Sequence, residues 1–395
     1  MPDAAGSEGA PRGTWALYLG TAAVYADMYV TQPFLPLLTA EFGVPPARAG
    51  LTVSAVVVAI AASSTLYGPL GDALGRKWVM AGAAALLVLP TLACAFAPTF
   101  GVLVALRAAQ GALIPGVSAV SVAWVGDGVP PSRVGPVVGR VIAASVAGGL
   151  AGRVVSGLVA EALGWRAAFL VFGGATALAA AAMALSLPPG RVRLRVGWRT
   201  AYGGMLSHLR DRRLAGAYLL ALAMFFGFIA VFTYLPYRLT AEPFRLSTGA
   251  VASFYLVYLA GVVASPLAGR LVGRLGAERL MAGGVAVAAG GVLLTLLPSL
   301  PVVVLGLVVL CLGLFTAQAV APSFVNLAAA EPKGGASALY LAFYYVGGTL
   351  GSWLPGHAWQ GAGWPGVVAA SVGALGLGFA AVAALCRPAS PRAGP

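Results

Sequence analysis

Charge is scarce in this sequence: 9% of its 395 residues are Asp, Glu, Lys or Arg, against roughly a quarter in an average soluble domain. With 60% of residues hydrophobic, a water-soluble fold of this size could not cover its surface. Cysteine is scarce as well. Cys94, Cys311 and Cys386 stand singly, without metal-ligand spacing or an obvious mate, so each reads as a small apolar filler and no metal is expected. Histidine is limited to His208 and His357, far apart in the chain. No zinc or phosphate-loop spacing occurs and no nucleotide-binding domain accompanies the apolar runs. Neither an enzyme nor an ATP-driven pump is expected, and no cofactor.

What the chain has in abundance is long apolar stretches. Twelve of them run at about 14–38, 48–71, 78–97, 100–124, 137–161, 165–187, 214–238, 247–272, 277–297, 300–327, 335–356 and 364–386, each long enough to cross about 30 Å of hydrocarbon as a helix. The first is too long for a signal-peptide core and no A-x-A cleavage site follows it, so it is read as a retained membrane helix. The 54 glycines and 27 prolines would mark loops in water. Membrane helices tolerate both, because small residues allow close packing and neighbouring groups satisfy freed backbone atoms.

The net charge of +13 could suggest nucleic acid, but its placement suggests a bilayer. With a cytoplasmic N-terminus, the inner segments hold Arg12, Arg76, Lys77, Arg133, Arg140, the seven arginines from Arg191 to Arg213, Arg270, Arg274, Arg279, Lys333, Arg387 and Arg392. The outer segments hold only Arg48, Arg166, Arg238 and Arg245. This asymmetry predicts both termini on the cytoplasmic side. The longest polar segment, 188–213, links residues 1–187 to residues 214–395; its arginines are read as anchoring to anionic lipid, not nucleic acid, and His208 within it as solvated.

The two halves repeat. A shift of 199 places lays AGGLAGRVVSGLVAEALGW (147–165) over VGGTLGSWLPGHAWQGAGW (346–364), matching Gly148, Gly149, Gly152, Gly157, Gly164 and Trp165 to Gly347, Gly348, Gly351, Gly356, Gly363 and Trp364. A shift of 201 lays Gly68, Leu70 and Gly75 over Gly269, Leu271 and Gly276. The fold class expected is an all-α integral membrane protein, twelve transmembrane helices in two six-helix pseudo-symmetric bundles. Shared glycines read as structural. Arg153 meets Ser352 across the repeat, so the architecture alone does not require a cation there.

Three motifs carry a resemblance. YGPLGDALGRK (67–77) resembles the G-x-L-x-D-x-x-G-R-K loop signature of the major facilitator superfamily, RAAQG (107–111) its fourth-helix R-x-x-Q-G signature, and the glycine run around Arg153 its fifth-helix antiporter motif. In the last, Arg153 and Ser156 stand where that motif carries a Gly-Pro pair. With YVTQPFLPLL (29–38) and ASALYLAFYYVGG (336–348), the chain is similar to the drug:proton antiporter and arabinose-efflux-permease-like branch. The resemblance implies the major facilitator fold and a monomeric, multi-pass efflux carrier of the bacterial inner membrane, handling protons and a small-molecule substrate.

Gly68, Asp72, Gly75, Arg76 and Lys77 are read as a conformational latch in which Asp72 caps the next helix or pairs with Arg76; charge marking of topology is the plainer reading. Gly273 replaces the aspartate in the second half, so a latch there is built differently.

Asp27, Arg107 and Arg153 are the strongly charged residues well inside spans. At 1.5 Å per residue, Asp27 and Arg153 lie about 20 and 24 Å from the cytoplasmic starts of their helices and Arg107 about 10 Å from the outer end of its own, so the three are expected at similar depth. Burial favours a neutral carboxyl and a neighbouring guanidinium favours a carboxylate, a balance that a ligand or water could tip. Asp27 is therefore the expected proton carrier, tuned by Arg107 and Arg153; a static ion pair is the alternative. The resemblance implies a coupling role for Arg107. Substrate contacts are expected from Phe225, Phe228, Phe232, Tyr234, Tyr340, Phe343 and Tyr344, with Gln32, Gln110 and Gln318 as polar groups. Two arginines against one aspartate leave a sugar-like or anionic metabolite open beside amphipathic drugs, and an ion channel is the rival from another class.

Overall fold

The computed structural model describes residues 13–188, 205–329 and 333–386. Arg12, Arg191, Arg193, Arg195, Arg199, Arg387, Arg392 and most of the 188–213 linker lie outside the described residues, as does the Lys333 side chain. His208, expected in solvent, is 5% exposed.

In hydrocarbon every backbone N–H and C=O must find a partner within the protein, and a helix provides one inside a single segment. The described residues are accordingly helical, without strands. The first segment, α1, runs Thr14–Tyr29, passes through a 3-10 turn at Gln32–Phe34 and resumes as Leu35–Phe42. There follow α2 (Pro46–Leu74), α3 (Arg76–Cys94), α4 (Phe100–Gly128), α5 (Pro131–Leu163), α6 (Trp165–Ser186), α7 (Arg212–Thr240), α8 (Thr248–Leu275), α9 (Ala277–Leu294), α10 (Leu300–Ala328), α11 (Lys333–Ala362) and α12 (Trp364–Leu385). Among the described residues ten of these are long and apolar enough to cross a membrane on their own; α1, which is broken, and α11, which is not, fall outside the ten. Pro33 opens the 3-10 turn in α1 and Pro36 opens the resumed helix. Proline lacks an N–H, so the ladder is interrupted there.

Local signals set the helix ends. Thr99 Oγ1 accepts from Val102 N at 3.3 Å to start α4, and Asp211 Oδ1 accepts from Arg213 N and Leu214 N at 2.8 and 3.3 Å to start α7. Gly75 and Gly276 turn the chain at φ +86° and +83°, and Gly164 and Gly363 do so at +84° and +59°. Those conformations are readily available only to glycine. Both pairs sit at the repeat spacings.

Packing repeats with the sequence. A Cβ on Gly148 or Gly152 of α5 would run into the backbone of Ala22 or Ala26 of α1; on Gly347 or Gly351 of α11 it would run into Leu222 or Phe226 of α7. Gly116 of α4 lies on Ala83 of α3, and Gly284 of α9 lies on Ala317 of α10. Without a hydrophobic force between helices in lipid, such close approach is how they gain attraction.

The chain divides into two compact units, as far as their described residues go: Met1–Val30 with Ala62–Val196, and Thr31–Ala61 with Gly197–Pro395. One border falls at the break in α1, a second within α2, and the third, between Val196 and Gly197, outside the described residues.

Gly152→Leu should lower the melting temperature in detergent, equivalent to about 1–3 kcal/mol of overpacking. Gly174→Ala, which meets nothing within 4 Å, should leave it unchanged or slightly raised; equal effects would refute the close-contact account.

Candidate functional site

The interruption of α1 leaves carbonyls of its last turn without helical partners. Arg107 of α4 meets them: Nη1 donates to Asp27 O at 2.8 Å and Nη2 to Met28 O at 2.6 Å. Nη1 also donates to Gln110 Oε1, one turn on, at 2.7 Å. A cation at a helix C-terminus is also stabilised by the helix dipole. Gln110 Nε2 donates to Thr91 Oγ1 of α3 at 2.7 Å, and Thr91 Oγ1 donates to Leu87 O at 2.8 Å. Arg107, Gln110 and Thr91 are fully buried.

The Asp27 carboxylate points elsewhere. Its Oδ2 accepts from Thr176 Oγ1 of α6 at 2.7 Å, while Oδ1 is buried and accepts no hydrogen bond. Neither arginine donates to it. The fold does not demand this polar pair: Ala22 and Ala26 of α1 take the places of Leu222 and Phe226 of α7, a shift of 200 that sets Gly227 opposite Asp27, and Gly227 packs against Leu375, the counterpart of Thr176 at the 199 shift, whose side chain would lie 3.2 Å from a Cβ there.

Arg153, expected to join the same group, is held by separate contacts. Nη1 donates to Gly149 O at 2.8 Å, and the guanidinium carbon sits 3.6 Å from the centre of the Tyr29 ring. Such stacking suits a buried guanidinium. The repeat-related Ser352 does something different in the second unit. Its Oγ lies 2.5 Å from Ser54 Oγ of α2, Ser54 Oγ donates to Thr349 O at 3.2 Å, and Tyr234 OH donates to Ser352 O at 2.8 Å. Gly50 of α2 has no room for a Cβ against Ser352 O, nor Gly356 of α11 against Ala47. Gln32 Nε2 donates to Thr233 Oγ1 at 3.2 Å, and Thr39 Oγ1 lies 2.7 Å from Tyr237 OH. Together these form a seam of hydroxyls and bare backbone.

The aromatic residues named from sequence largely meet one another. Phe225 stacks on Tyr344 with centroids 3.9 Å apart, Phe232 meets Tyr258 edge-on at 4.5 Å, and Phe343 stacks on Tyr218 at 5.5 Å. Phe225, Phe232, Tyr234 and Tyr340 are buried, whereas Phe228, Phe343, Tyr344 and Gln318 are half-buried and keep accessible surface. Tyr340 OH donates to Gln318 Oε1 at 3.3 Å. Gln110, named as a substrate contact, belongs instead to the Arg107 cluster. Gln32 is fully buried in the seam.

In the loop signature Asp72 pairs with Arg76 at 3.3 Å and does not cap α3. Arg76 also pairs with Asp127 at the end of α4, 2.6 Å away, and donates to Ala123 O. Gly75 makes the turn, Gly68 is exposed without close neighbours, and Lys77 Nζ lies 5.1 Å from the centre of the Trp78 ring. The second unit is built differently here, with Arg213 at 3.6 Å from Glu278. Sequence reasoning missed Thr91, Thr176, Tyr29, Ser54 and Asp127. Only Asp127, an acid near a span end in WVGDG, carried a usable signal.

Twelve helices among the described residues, in two repeats, with ionisable groups buried at span depth in one of them, define a polytopic membrane transporter. The model of the Major Facilitator Superfamily matches residues 17–352, and the chain belongs to that family of secondary transporters, which are not enzymes. It is 34% identical over 359 residues to "Inner membrane transport protein YnfM" of Escherichia coli, covering 90% of this chain and 86% of that one. It is 31% identical over 359 residues to "Uncharacterized MFS-type transporter YybF" of Bacillus subtilis, covering 90% and 88%. Among solved structures, the nucleoside transporter NupG shares the fold with a TM-score of 0.80 at 13% identity, over 95% of this chain and 100% of that one. A bacterial homologue of the human lysosomal transporter Spinster does so at 0.75 and 15%, over 94% and 93%.

Arg107→Lys should cost about 2–3 kcal/mol, because one ammonium cannot span two carbonyls and an amide as the guanidinium fork does. The measurement is thermal melting of purified protein; a parent-like melting temperature would show that the carbonyl contacts are dispensable.

Proposed function

We propose that the protein exports small amphipathic compounds, drugs among them, in exchange for protons, with Asp27 as the proton-binding group. The observation that carries this reading is the Asp27 carboxylate: fully buried, bonded through one oxygen, with the other lacking a donor, at a position the second repeat fills with Gly227 against Leu375. Arg107 pins the end of α1 beside it, so protonation alters a charge in a rigid frame. Arg153, held on Tyr29, supplies a second fixed cation to the same helix. The accessible faces of Phe228, Phe343 and Tyr344, with Gln318, offer an apolar body and a polar tip to cargo. Asp72, Arg76 and Asp127 act as the latch, its ion pairs parting and re-forming within the first half during the transport cycle.

The basic segments face the cytoplasm, both termini with them, and the protein works as a monomer in a bacterial inner membrane. The name of the Escherichia coli relative supports that location. Release to the outside requires the Ser54–Ser352 seam to part. Export of an anionic metabolite is the second reading, favoured by Arg153 standing where the repeat has Ser352.

In proteoliposomes, Asp27→Asn should abolish uphill transport driven by a proton gradient while leaving counterflow exchange within about twofold of the parent, since only the proton-dependent step is removed. Uphill transport that survives would eliminate Asp27 as the coupling group. Separately, a Ser54→Cys and Ser352→Cys pair, close enough for a disulfide, should stop transport on oxidation and regain it on reduction. Undiminished flux in the oxidised, verified cross-link would refute the gating role of the seam.

A further inference from the structure

One corner of the second unit is cationic in a way its repeat is not. On α8, Val263 and Leu267 are 66% and 50% exposed, and Arg270 and Arg274, also exposed, continue the same face. Spacings of four, three and four residues keep all four side chains on one stripe. The chain then turns at Gly276, and Arg279 is exposed in the first turn of α9. Nearby acids are already engaged: Glu278 pairs with Arg213, which brings the start of α7 alongside, and Asp211 caps α7. Arg212 is exposed there too. No ion pair or hydrogen bond from the side chains of Arg212, Arg270, Arg274 or Arg279 to another described residue is present.

A shift of 201 places maps the stripe onto Ala62, Leu66, Pro69 and Ala73 of α2. No cation occurs among them. In the corresponding corner of the first unit Arg76 is bound by Asp72 and Asp127. The fold itself therefore has no need of Arg270 and Arg274.

We infer that this corner, formed by the ends of α8 and α9 with the start of α7, is a binding surface for an anionic phospholipid. The acyl chains lie along Val263 and Leu267 and the phosphate is gripped by Arg270, Arg274 and Arg279. Apolar residues leading along a helix into a cluster of guanidinium groups match the layout of such a lipid from tail to headgroup. Arginine forks bind phosphate oxygens in pairs, which adds geometry to charge.

The test uses full-length protein in detergent, melted with phosphatidylglycerol, with phosphatidylcholine and with inorganic phosphate, and assayed for lipid retained through purification. Phosphatidylglycerol should raise the Tm of the parent, and the other two should not. R270Q/R274Q/R279Q should lose the rise, with retention falling about fivefold per arginine removed, and R270K/R274K/R279K should keep part of it. A rise equal with phosphatidylcholine, a rise with phosphate alone, or an undiminished response in the glutamine variant would overturn the inference. Should that variant fail to insert, salt decides on the parent: high ionic strength should weaken the response, and a salt-independent response would overturn it equally.

Discussion

The rest of the first unit depends on one guanidinium. A helix broken inside a membrane exposes carbonyl groups that no water can satisfy, and each would cost several kcal/mol if left alone. Arg107 bonds two of them, at Asp27 and Met28, and is itself positioned by Gln110 and, through it, by Thr91. Because Arg107 serves the backbone of Asp27, the side chain of Asp27 is left to Thr176. A salt bridge between the two would have pinned the carboxylate as an anion. Binding the backbone fixes the place of the carboxylate without filling its oxygens.

The two repeats show which features the fold requires. Glycines that bring α5 onto α1 recur where α11 meets α7, and glycine turns at Gly75 and Gly164 recur at Gly276 and Gly363. Contact between helices in lipid rests on such fits, so both halves keep them. Polar residues diverge. Asp27 and Thr176 correspond to Gly227 and Leu375, and Arg153 to Ser352, which serves a hydroxyl seam with Ser54. One half thus holds the buried charges and the other the aromatic stacks, although their helices pack alike.

Much of the architecture was legible because a span of lipid imposes a length and a composition on each helix. Asp27, Arg107 and Arg153 also stood out, since an ionisable residue in an apolar run is costly. Their partners did not. Thr91 and Thr176 are unremarkable in a membrane helix, and nothing near Tyr29 marks it as the ring beneath Arg153. The single group expected of the three charges is instead two separate arrangements. The aromatic residues expected to face cargo largely stack on each other, because rings bury area on whichever neighbour is nearest.

From its sequence alone, the chain determined that it is a twelve-span helical membrane protein built from two repeats, because hydropathy and glycine spacing act locally along each segment. Only the tertiary structure decided that Arg107 binds carbonyls while Thr176 binds Asp27, and that Ser352 meets Ser54. Those pairings depend on which side of one helix, at what depth, faces another far away in the chain. Hydrogen bonds act over about 3 Å, and a shift of one residue along a helix turns a side chain by about 100°, so pattern along the chain does not specify them.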